Sequence, residues 1–260
     1  MPKVTSKDGT GIAYEKTGQG SSVILVDGAM CSRAFGPMPG LAPLLAKDFT
    51  VYIYDRRGRN ESSDTQPYAV EREVEDIEAL IDEAGGSAFV FGTSSGGALA
   101  LEAALKLDGK IKKLAMYEPP YNADVKVQQM WKEYQKQLAE LLSAGRRGDA
   151  AELFMASVGT PAEQIAGMRM APVWSAFEAV APTLAYDAAV MGDQSVPTER
   201  AASVRVPTLV MNGTAIPFML DTANALAKAI PHAQHRTLEG QTHDVALDVL
   251  APELIEFFKT

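Results

Sequence analysis

A serine flanked by glycines is the feature of the sequence best suited to chemistry. Residues 91–97 read Phe-Gly-Thr-Ser-Ser-Gly-Gly, so Gly92, Ser94 and Gly96 fit the pattern Gly-x-Ser-x-Gly. An apolar stretch ends at Gly92 and an Ala/Leu-rich helical pattern begins at Ser95, which predicts a tight strand-to-helix turn around Ser94. Such a turn holds the hydroxyl clear of the sheet, and the Ser95 N–H at the helix start faces any negative charge that forms nearby. We therefore predict that Ser94 is a nucleophile; the alternative is an ordinary Gly/Ser turn that opens a buried helix.

The elements that must position this turn alternate between apolar strands and helices. A hairpin is predicted around Asp8-Gly9, because this dipeptide favours a tight turn. Five apolar runs then predict buried strands over residues 23–26, 51–54, 89–91, 111–117 and 206–211. Helical patterns cover residues 41–47, 70–83, 95–107, 221–230 and 252–258. This alternation predicts an α/β fold with a mostly parallel central sheet and helices on both faces.

The alternation stops between residues 121 and 196, where almost the whole pattern is helical. We predict a core domain formed by residues 1–120 and 197–260, with residues 121–196 as a helical cap. Most apolar side chains of this insertion, such as Trp174 and Phe177, are expected to pack in a core, and a few are expected to line a substrate cavity. The charged run over residues 71–76 is expected to form a solvated helix face.

The order of elements, the Ser94 turn and the segment Tyr54-Asp55-Arg56-Arg57-Gly58 resemble the α/β-hydrolase superfamily over nearly the whole chain. The cap of that superfamily corresponds to residues 121–196. The resemblance implies a nucleophile, an acid and a histidine in that order along the chain. It also implies that the charged cluster from Asp55 to Arg59 braces loops, without a catalytic role.

His243 stands at the position of the superfamily's general base, after the last predicted strand and before the C-terminal helix. A neutral imidazole there would take the proton of Ser94 and return it to the leaving group. The alternative is a structural loop histidine. The other two histidines, His232 and His235, are expected to be solvated residues of a loop.

The superfamily usually supplies a second oxyanion donor from a His-Gly-x loop, which reads Asp27-Gly28-Ala29 here. The donor is a backbone N–H, so Ala29 can still provide it beside Ser95. The replacement of the histidine by Asp27 is a departure, because an anion near this loop would raise the energy of an oxyanion.

Three assignments of the triad acid are open. The usual position, after the strand over residues 206–211, is occupied by Ile216. Some relatives, such as certain haloalkane dehalogenases, carry the acid one strand earlier, where this chain has Glu118 at the C-terminal end of a strand. We favour Glu118; the alternatives are Asp221, which fits better as a helix N-cap, or no acid at all.

Composition narrows the class of partner. Lys and Arg number 24 against 33 Asp and Glu, so the net charge of −9 and the lack of a basic stripe argue against nucleic-acid binding. The single cysteine excludes an intramolecular disulfide, and no Cys/His cluster has zinc-ligand spacing. No apolar run reaches the roughly 18 residues of a membrane span, and the N-terminus does not resemble a signal peptide. We expect a cytoplasmic protein that acts on a small molecule without a metal or organic cofactor; a homo-oligomer is compatible with the sequence.

The primary hypothesis is a serine hydrolase that cleaves a small, largely apolar carboxylic ester or lactone through an acyl-enzyme on Ser94. His243 and Glu118 would complete the triad, and Ala29 and Ser95 would bind the oxyanion. Other chemistry of the same fold is the alternative: a perhydrolase or haloperoxidase-like reaction, acyl transfer, carbon–carbon bond hydrolysis or a lyase. A further alternative is a decayed hydrolase site that binds a ligand without cleaving it. A haloalkane dehalogenase is disfavoured, because that reaction needs a carboxylate where Ser94 stands.

Overall fold

An eight-stranded sheet organises the computed structural model, which describes residues 1–260. The strands are β1 (Lys3–Thr5), β2 (Gly11–Gly18), β3 (Ser22–Val26), β4 (Thr50–Tyr54), β5 (Ala88–Thr93), β6 (Ile111–Tyr117), β7 (Thr208–Gly213) and β8 (Gln234–Leu238). Their spatial order is β1-β2-β4-β3-β5-β6-β7-β8. The pairs β1–β2 and β2–β4 are antiparallel, and every pair from β4 to β8 is parallel. The predicted mostly parallel α/β sheet is confirmed.

Helices cover both faces of this sheet. They are α1 (Met38–Leu45), α2 (Val70–Glu83), α3 (Ser95–Lys106), α4 (Val125–Ser143), α5 (Arg147–Ser157), α6 (Ala162–Arg169), α7 (Trp174–Val180), α8 (Leu184–Met191), α9 (Thr198–Ala201), α10 (Pro217–Ala229) and α11 (Leu247–Lys259), with a 3₁₀ turn at Ala181–Thr183. No helix combines the length and the apolar character needed to cross a bilayer.

Neighbouring residues of the central strands belong to two different cores, because successive side chains of a strand point to opposite faces. In β3, Ile24 and Val26 pack in a cluster with α2, α3 and α10. Val23 and Leu25 pack in a second cluster with α1 and α11. Burial on both faces explains why these strands are continuously apolar in sequence.

A third core lies among helices α4 to α8, in the insertion between β6 and β7. Trp174 and Phe177 are buried in it, as expected for most apolar side chains of this segment. Met170, in contrast, is 89% exposed. Met30, which follows the predicted oxyanion loop, is the one buried member of this cluster from outside the insertion, so the cluster packs directly beside that loop.

Helices α10 and α11 begin earlier than the sequence predicted. Helix α10 begins at Pro217, and Asp221 is an exposed residue inside it, so the N-cap interpretation of Asp221 was wrong. Proline fits the first helical position, and the buried face from Met219 to Leu226 begins before Asp221. Helix α11 begins at Leu247 and includes Pro252, because its buried face extends on both sides of the proline. That packing outweighs the hydrogen bond that Pro252 cannot donate.

Candidate active site

Ser94 lies in a strained turn between β5 and α3. Its φ of 56° and ψ of −134° are unfavourable for a residue with a Cβ, and such strain, of about 1–3 kcal/mol, occurs mainly at functional sites. The Ser94 N–H donates a hydrogen bond to the Tyr117 carbonyl at 3.0 Å, which ties the turn to the end of β6. The Gly97 N–H donates to the Ser94 carbonyl at 2.9 Å, in the first turn of α3. The turn is therefore held on both sides.

The glycines around Ser94 allow three backbones to approach closely. A Cβ on Gly96 would lie 2.3 Å from the Val26 carbonyl oxygen, and one on Gly92 would lie 2.3 Å from the Gly96 carbonyl oxygen. Any side chain at either position would displace α3 from the sheet. The Gly-x-Ser-x-Gly spacing thus follows from packing as well as from chemistry.

Glu118 and His243 are in direct contact. His243 Nδ1 lies 2.8 Å from Glu118 Oε2, and the other carboxylate oxygen accepts the Gly213 N–H at 2.8 Å. Glu118 directly follows β6, is 1% exposed and has a φ of 46°. The Tyr117 hydroxyl donates to the Thr242 carbonyl at 2.5 Å and so fixes the loop that carries His243. The exposed Asp221 makes no hydrogen bond with His243.

The three predicted triad residues lie at the carboxyl edge of the parallel strands. Ser94 follows β5, Glu118 follows the adjacent β6, and His243 follows β8. No hydrogen bond joins Ser94 and His243 in this structure; such bonds often tighten only when substrate is present. The arrangement could support proton transfer from a serine hydroxyl to a histidine that a carboxylate orients.

The proposed oxyanion donors, Ala29 and Ser95, each have a backbone N–H that donates to no backbone carbonyl. Their loops meet at Ser94, because a Cβ on Gly28 would lie 3.0 Å from the Ser94 Cβ. The peptide before Ala29 and the peptide after Ser94 therefore flank the hydroxyl. Two unpaired N–H groups beside a nucleophile are the elements of an oxyanion hole.

The family of this chain follows from a comparison with known protein families. The model of the alpha/beta hydrolase family matches residues 20–255. This chain belongs to the alpha/beta hydrolase family. Among solved structures, an alpha/beta hydrolase from Sphaerobacter thermophilus is 52% identical, covers 99% of this chain and 100% of its own, and superposes with a TM-score of 0.89.

More distant similarities are less informative about this alpha/beta hydrolase. The uncharacterized hydrolase YraK of Bacillus subtilis is 30% identical over 115 residues, which span 43% of this chain and 42% of that relative. The enol-lactonase from Burkholderia xenovorans is 21% identical over the full length of both chains, with a TM-score of 0.70. At that identity the likeness shows the fold alone.

Asp27 of this alpha/beta hydrolase is buried beside the predicted oxyanion loop. It is 2% exposed, and its Oδ1 atom has no hydrogen-bond partner. Burial raises the pKa of the carboxyl to about 8, although Arg59 and Arg56 oppose the shift. The side chain is therefore mostly neutral at pH 7. The negative charge that would raise the energy of an oxyanion is therefore largely suppressed at neutral pH by burial.

Three arginines that follow β4 are buried, and each meets a buried carboxylate. Arg56 Nε donates to Glu73 at 2.7 Å and Arg57 Nη2 donates to Asp76 at 2.7 Å. The expectation that residues 71–76 form a solvated face was therefore wrong for these two acids, because they face the arginines below α2.

The third of these arginines, Arg59, donates to Asp187 of α8 at 2.7 Å. The two residues are 128 positions apart, so no local sequence pattern indicated the pair.

Among the remaining histidines, His232 is exposed, as expected. His235 is not a solvated loop residue: it lies in β8, is partly buried and has its Nε2 2.7 Å from Asn212 Oδ1. Burial lowers its pKa. The prediction failed because β8 begins at Gln234 and pairs with β7, which brings His235 beside Val210 of that strand.

A largely apolar cavity of about 560 Å³ lies between the loop after Ala29 and helix α7. Its lining includes Met30, Phe35, Val173, Phe177 and Val180. The cavity borders the loop of the predicted oxyanion donor but is not lined by Ser94 or His243. No group of three or more His, Cys, Asp or Glu side chains is arranged to hold a metal ion.

Proposed function

We propose that this alpha/beta hydrolase cleaves small, largely apolar carboxylic esters or lactones through an acyl-enzyme on Ser94. The observation that carries the proposal is the contact of 2.8 Å between His243 and the buried Glu118, at the sheet edge where Ser94 occupies a strained turn. A buried carboxylate fixes the proton of a neutral imidazole on Nδ1, which leaves Nε2 free to act as a base.

The reaction proceeds in two halves. His243 Nε2 takes the hydroxyl proton while the Ser94 oxygen attacks the substrate carbonyl, and the negative charge moves onto the carbonyl oxygen. The N–H groups of Ala29 and Ser95 stabilise that oxygen, and Glu118 stabilises the imidazolium. The imidazolium then protonates the departing alkoxide, which leaves an ester on Ser94. A water molecule, deprotonated by His243, hydrolyses this ester and regenerates the hydroxyl.

The proposed substrate class rests on the surroundings of the site. The cavity beside the oxyanion loop is lined mainly by apolar side chains, which favours an apolar acyl or alkoxy group. A lactone is opened by the same steps as an open-chain ester, so a cyclic ester falls within the same proposal. The net charge of −9 disfavours nucleic acid as a partner.

The test is covalent labelling of Ser94. The protein is incubated with a fluorophosphonate and its intact mass is measured, with Ser94→Ala as the negative variant. Ser175→Ala, which changes an exposed serine of α7, is the matched control. One phosphonyl group should appear on wild type and on the Ser175 variant, and none on Ser94→Ala. Equal labelling of Ser94→Ala would refute the nucleophile.

A substrate panel tests the reaction class. Carboxylic esters, lactones, thioesters and hydrogen peroxide with an acyl donor are compared at equal concentrations. The proposal predicts the highest kcat/KM for esters or lactones with short apolar groups. Labelling of Ser94 together with faster perhydrolysis or acyl transfer than hydrolysis would retain the nucleophile and reject the ester hydrolase.

A further inference from the structure

Arg59 contacts the loop that carries the proposed oxyanion donor Ala29. Its guanidinium is buried, and Nη1 donates to the Gly28 carbonyl at 2.6 Å and to the Cys31 carbonyl at 3.1 Å. The Nε atom donates to Thr183 Oγ1 at 3.1 Å. The arginine therefore bonds to both ends of the loop segment around Ala29.

The contact with Gly28 determines where the Ala29 N–H points. The Gly28 carbonyl and the Ala29 N–H belong to one trans peptide group. In a trans peptide the C=O and N–H bonds point in opposite directions. A carbonyl held by Arg59 therefore directs the N–H away from the arginine. The next residue, Met30, has a φ of 62°, so the loop is strained and benefits from this bond.

Asp187 connects this arginine to the second donor. Its Oδ2 accepts from Arg59 Nη2 at 2.7 Å, and its Oδ1 accepts from the Ser95 hydroxyl at 2.7 Å and from Arg56 Nη1 at 2.6 Å. The carboxylate is 4% exposed. Although burial opposes ionisation, Arg56 and Arg59 lower its pKa, so it stays charged. The Asp187 side chain of α8 thus contacts Ser95, which supplies one of the proposed donor N–H groups. It also contacts Arg59, which orients the N–H of Ala29.

We propose that Arg59 and Asp187 are positioning residues that hold the peptides of Ala29 and Ser95 in the geometry needed to bind an oxyanion. The inference rests on the proposed function, because it assigns a role toward that oxyanion. It also links the helical insertion to the reaction, since Asp187 lies in α8 and can make these contacts only when that helix is seated on the sheet.

A buried arginine that only stabilises the fold would make similar ion pairs to those of Arg59. Arg57 is such an arginine and serves as the control. Arg57 is fully buried, lies two residues before Arg59 and donates two hydrogen bonds to Asp76, at 2.8 Å and 2.7 Å. It makes no hydrogen bond to residues 27–31. Its removal should cost stability as the removal of Arg59 does, without affecting the oxyanion.

The experiment compares Arg59→Met with Arg57→Met, after Ser94→Ala has been shown to abolish turnover of a p-nitrophenyl ester. The readouts are kcat, KM and the inhibition constant of a trifluoromethyl ketone, which becomes an anionic tetrahedral adduct when a serine attacks it. We expect Arg59→Met to lower kcat about 10²–10³-fold, as the loss of an oxyanion donor does. Ketone affinity should fall by a similar factor, while KM changes less than about threefold, because the oxyanion exists only after attack. Arg59→Lys, which keeps a charged donor, should recover part of the loss.

Arg57→Met should retain kcat and ketone affinity within about threefold, even where its melting temperature falls. Equal losses in the two variants, or an unchanged ketone affinity in Arg59→Met, would overturn the positioning role. Turnover by Ser94→Ala would instead reject the proposed function itself.

A milder variant covers the case in which Arg59→Met does not fold. Ser95→Ala removes the hydroxyl that bonds to Asp187 and leaves the backbone N–H in place. We expect kcat and ketone affinity to fall together, by about tenfold, because the donor is retained but less well held. A change below about twofold in both quantities would overturn the role of Asp187.

Discussion

Replacement of Glu118 by glutamine is the sharpest test of the proposed triad. The two side chains have the same shape, so the buried position should be filled equally well. The Gly213 N–H donates to Glu118 Oε1 at 2.8 Å, which requires an acceptor there. The amide oxygen of the variant must therefore face Gly213, and its NH₂ group must face His243 Nδ1. Because an NH₂ group donates, Nδ1 becomes the acceptor and the imidazole proton moves to Nε2. The base then has no lone pair for Ser94.

The size of the effect follows from the contact itself. The attraction between a carboxylate and an imidazolium 2.8 Å apart is about 6 kcal/mol at an effective dielectric constant of about 20. The His243 side chain is 37% exposed, so solvent reduces this value. We take the screened attraction as about 4 kcal/mol of transition-state stabilisation. This corresponds to about a 10³-fold change in rate, since about 1.4 kcal/mol is a factor of ten.

The assay is the kcat of a p-nitrophenyl ester at pH 8, with KM measured in parallel and circular dichroism to check the fold. Glu118→Gln should lose about 10³ in kcat with little change in KM. Asp221→Asn, which changes the exposed rival carboxylate, should stay within about twofold of wild type. A Glu118→Gln variant that keeps more than a tenth of the wild-type kcat would refute the reasoning.

Three further predictions concern the neighbourhood of the site. Asp27 has a pKa of about 8 in the fold and 3.8 as its ordinary value. Between these two pH values the folded state keeps a proton on Asp27 that the unfolded state has lost. As the pH rises, the unfolding free energy of the wild type should therefore fall by about 1.4 kcal/mol per pH unit more than that of Asp27→Asn. Urea unfolding at pH 5, 6 and 7 measures this, and parallel slopes would contradict it. Gly28→Ala places a Cβ 3.0 Å from the Ser94 Cβ, so kcat should fall at least about tenfold; wild-type turnover would argue against the close approach. Glu73→Gln leaves the buried Arg56 without one partner and should cost about 3 kcal/mol in urea unfolding, whereas Glu71→Gln, at an exposed pair, should cost less than about 1 kcal/mol. Similar losses in both variants would contradict the importance of burial.

Those parts of the site that depend on neighbouring residues could be predicted from the sequence. The Ser94 turn is encoded within five residues, because the glycines at 92 and 96 are needed for local packing. Glu118 was favoured as the partner of His243 because some relatives carry the acid one strand earlier and because it stands at the end of a strand; Asp221 or no acid were the open alternatives. The catalytic roles of these residues stay a prediction.

The contacts that could not be predicted join distant parts of the chain. Asp187 bonds to Ser95, 92 residues away, and only the docking of α8 on the sheet brings them together. Glu73 and Asp76 have the charged pattern of a surface helix, yet they are buried because Arg56 and Arg57 lie beneath α2. Charge patterns along a helix do not reveal a partner on another element. The start of α10, in contrast, was missed although Pro217 is a local signal.

The central claim, that Ser94 carries the acyl group during turnover, is tested most directly by trapping that intermediate. The enzyme is mixed with excess p-nitrophenyl ester, quenched in acid within the first turnovers and mapped by peptide mass spectrometry. The proposed reaction predicts one acyl group, located by fragmentation on Ser94 and absent from Ser94→Ala. An acyl group on another residue, or one that persists in Ser94→Ala during unchanged turnover, would contradict it.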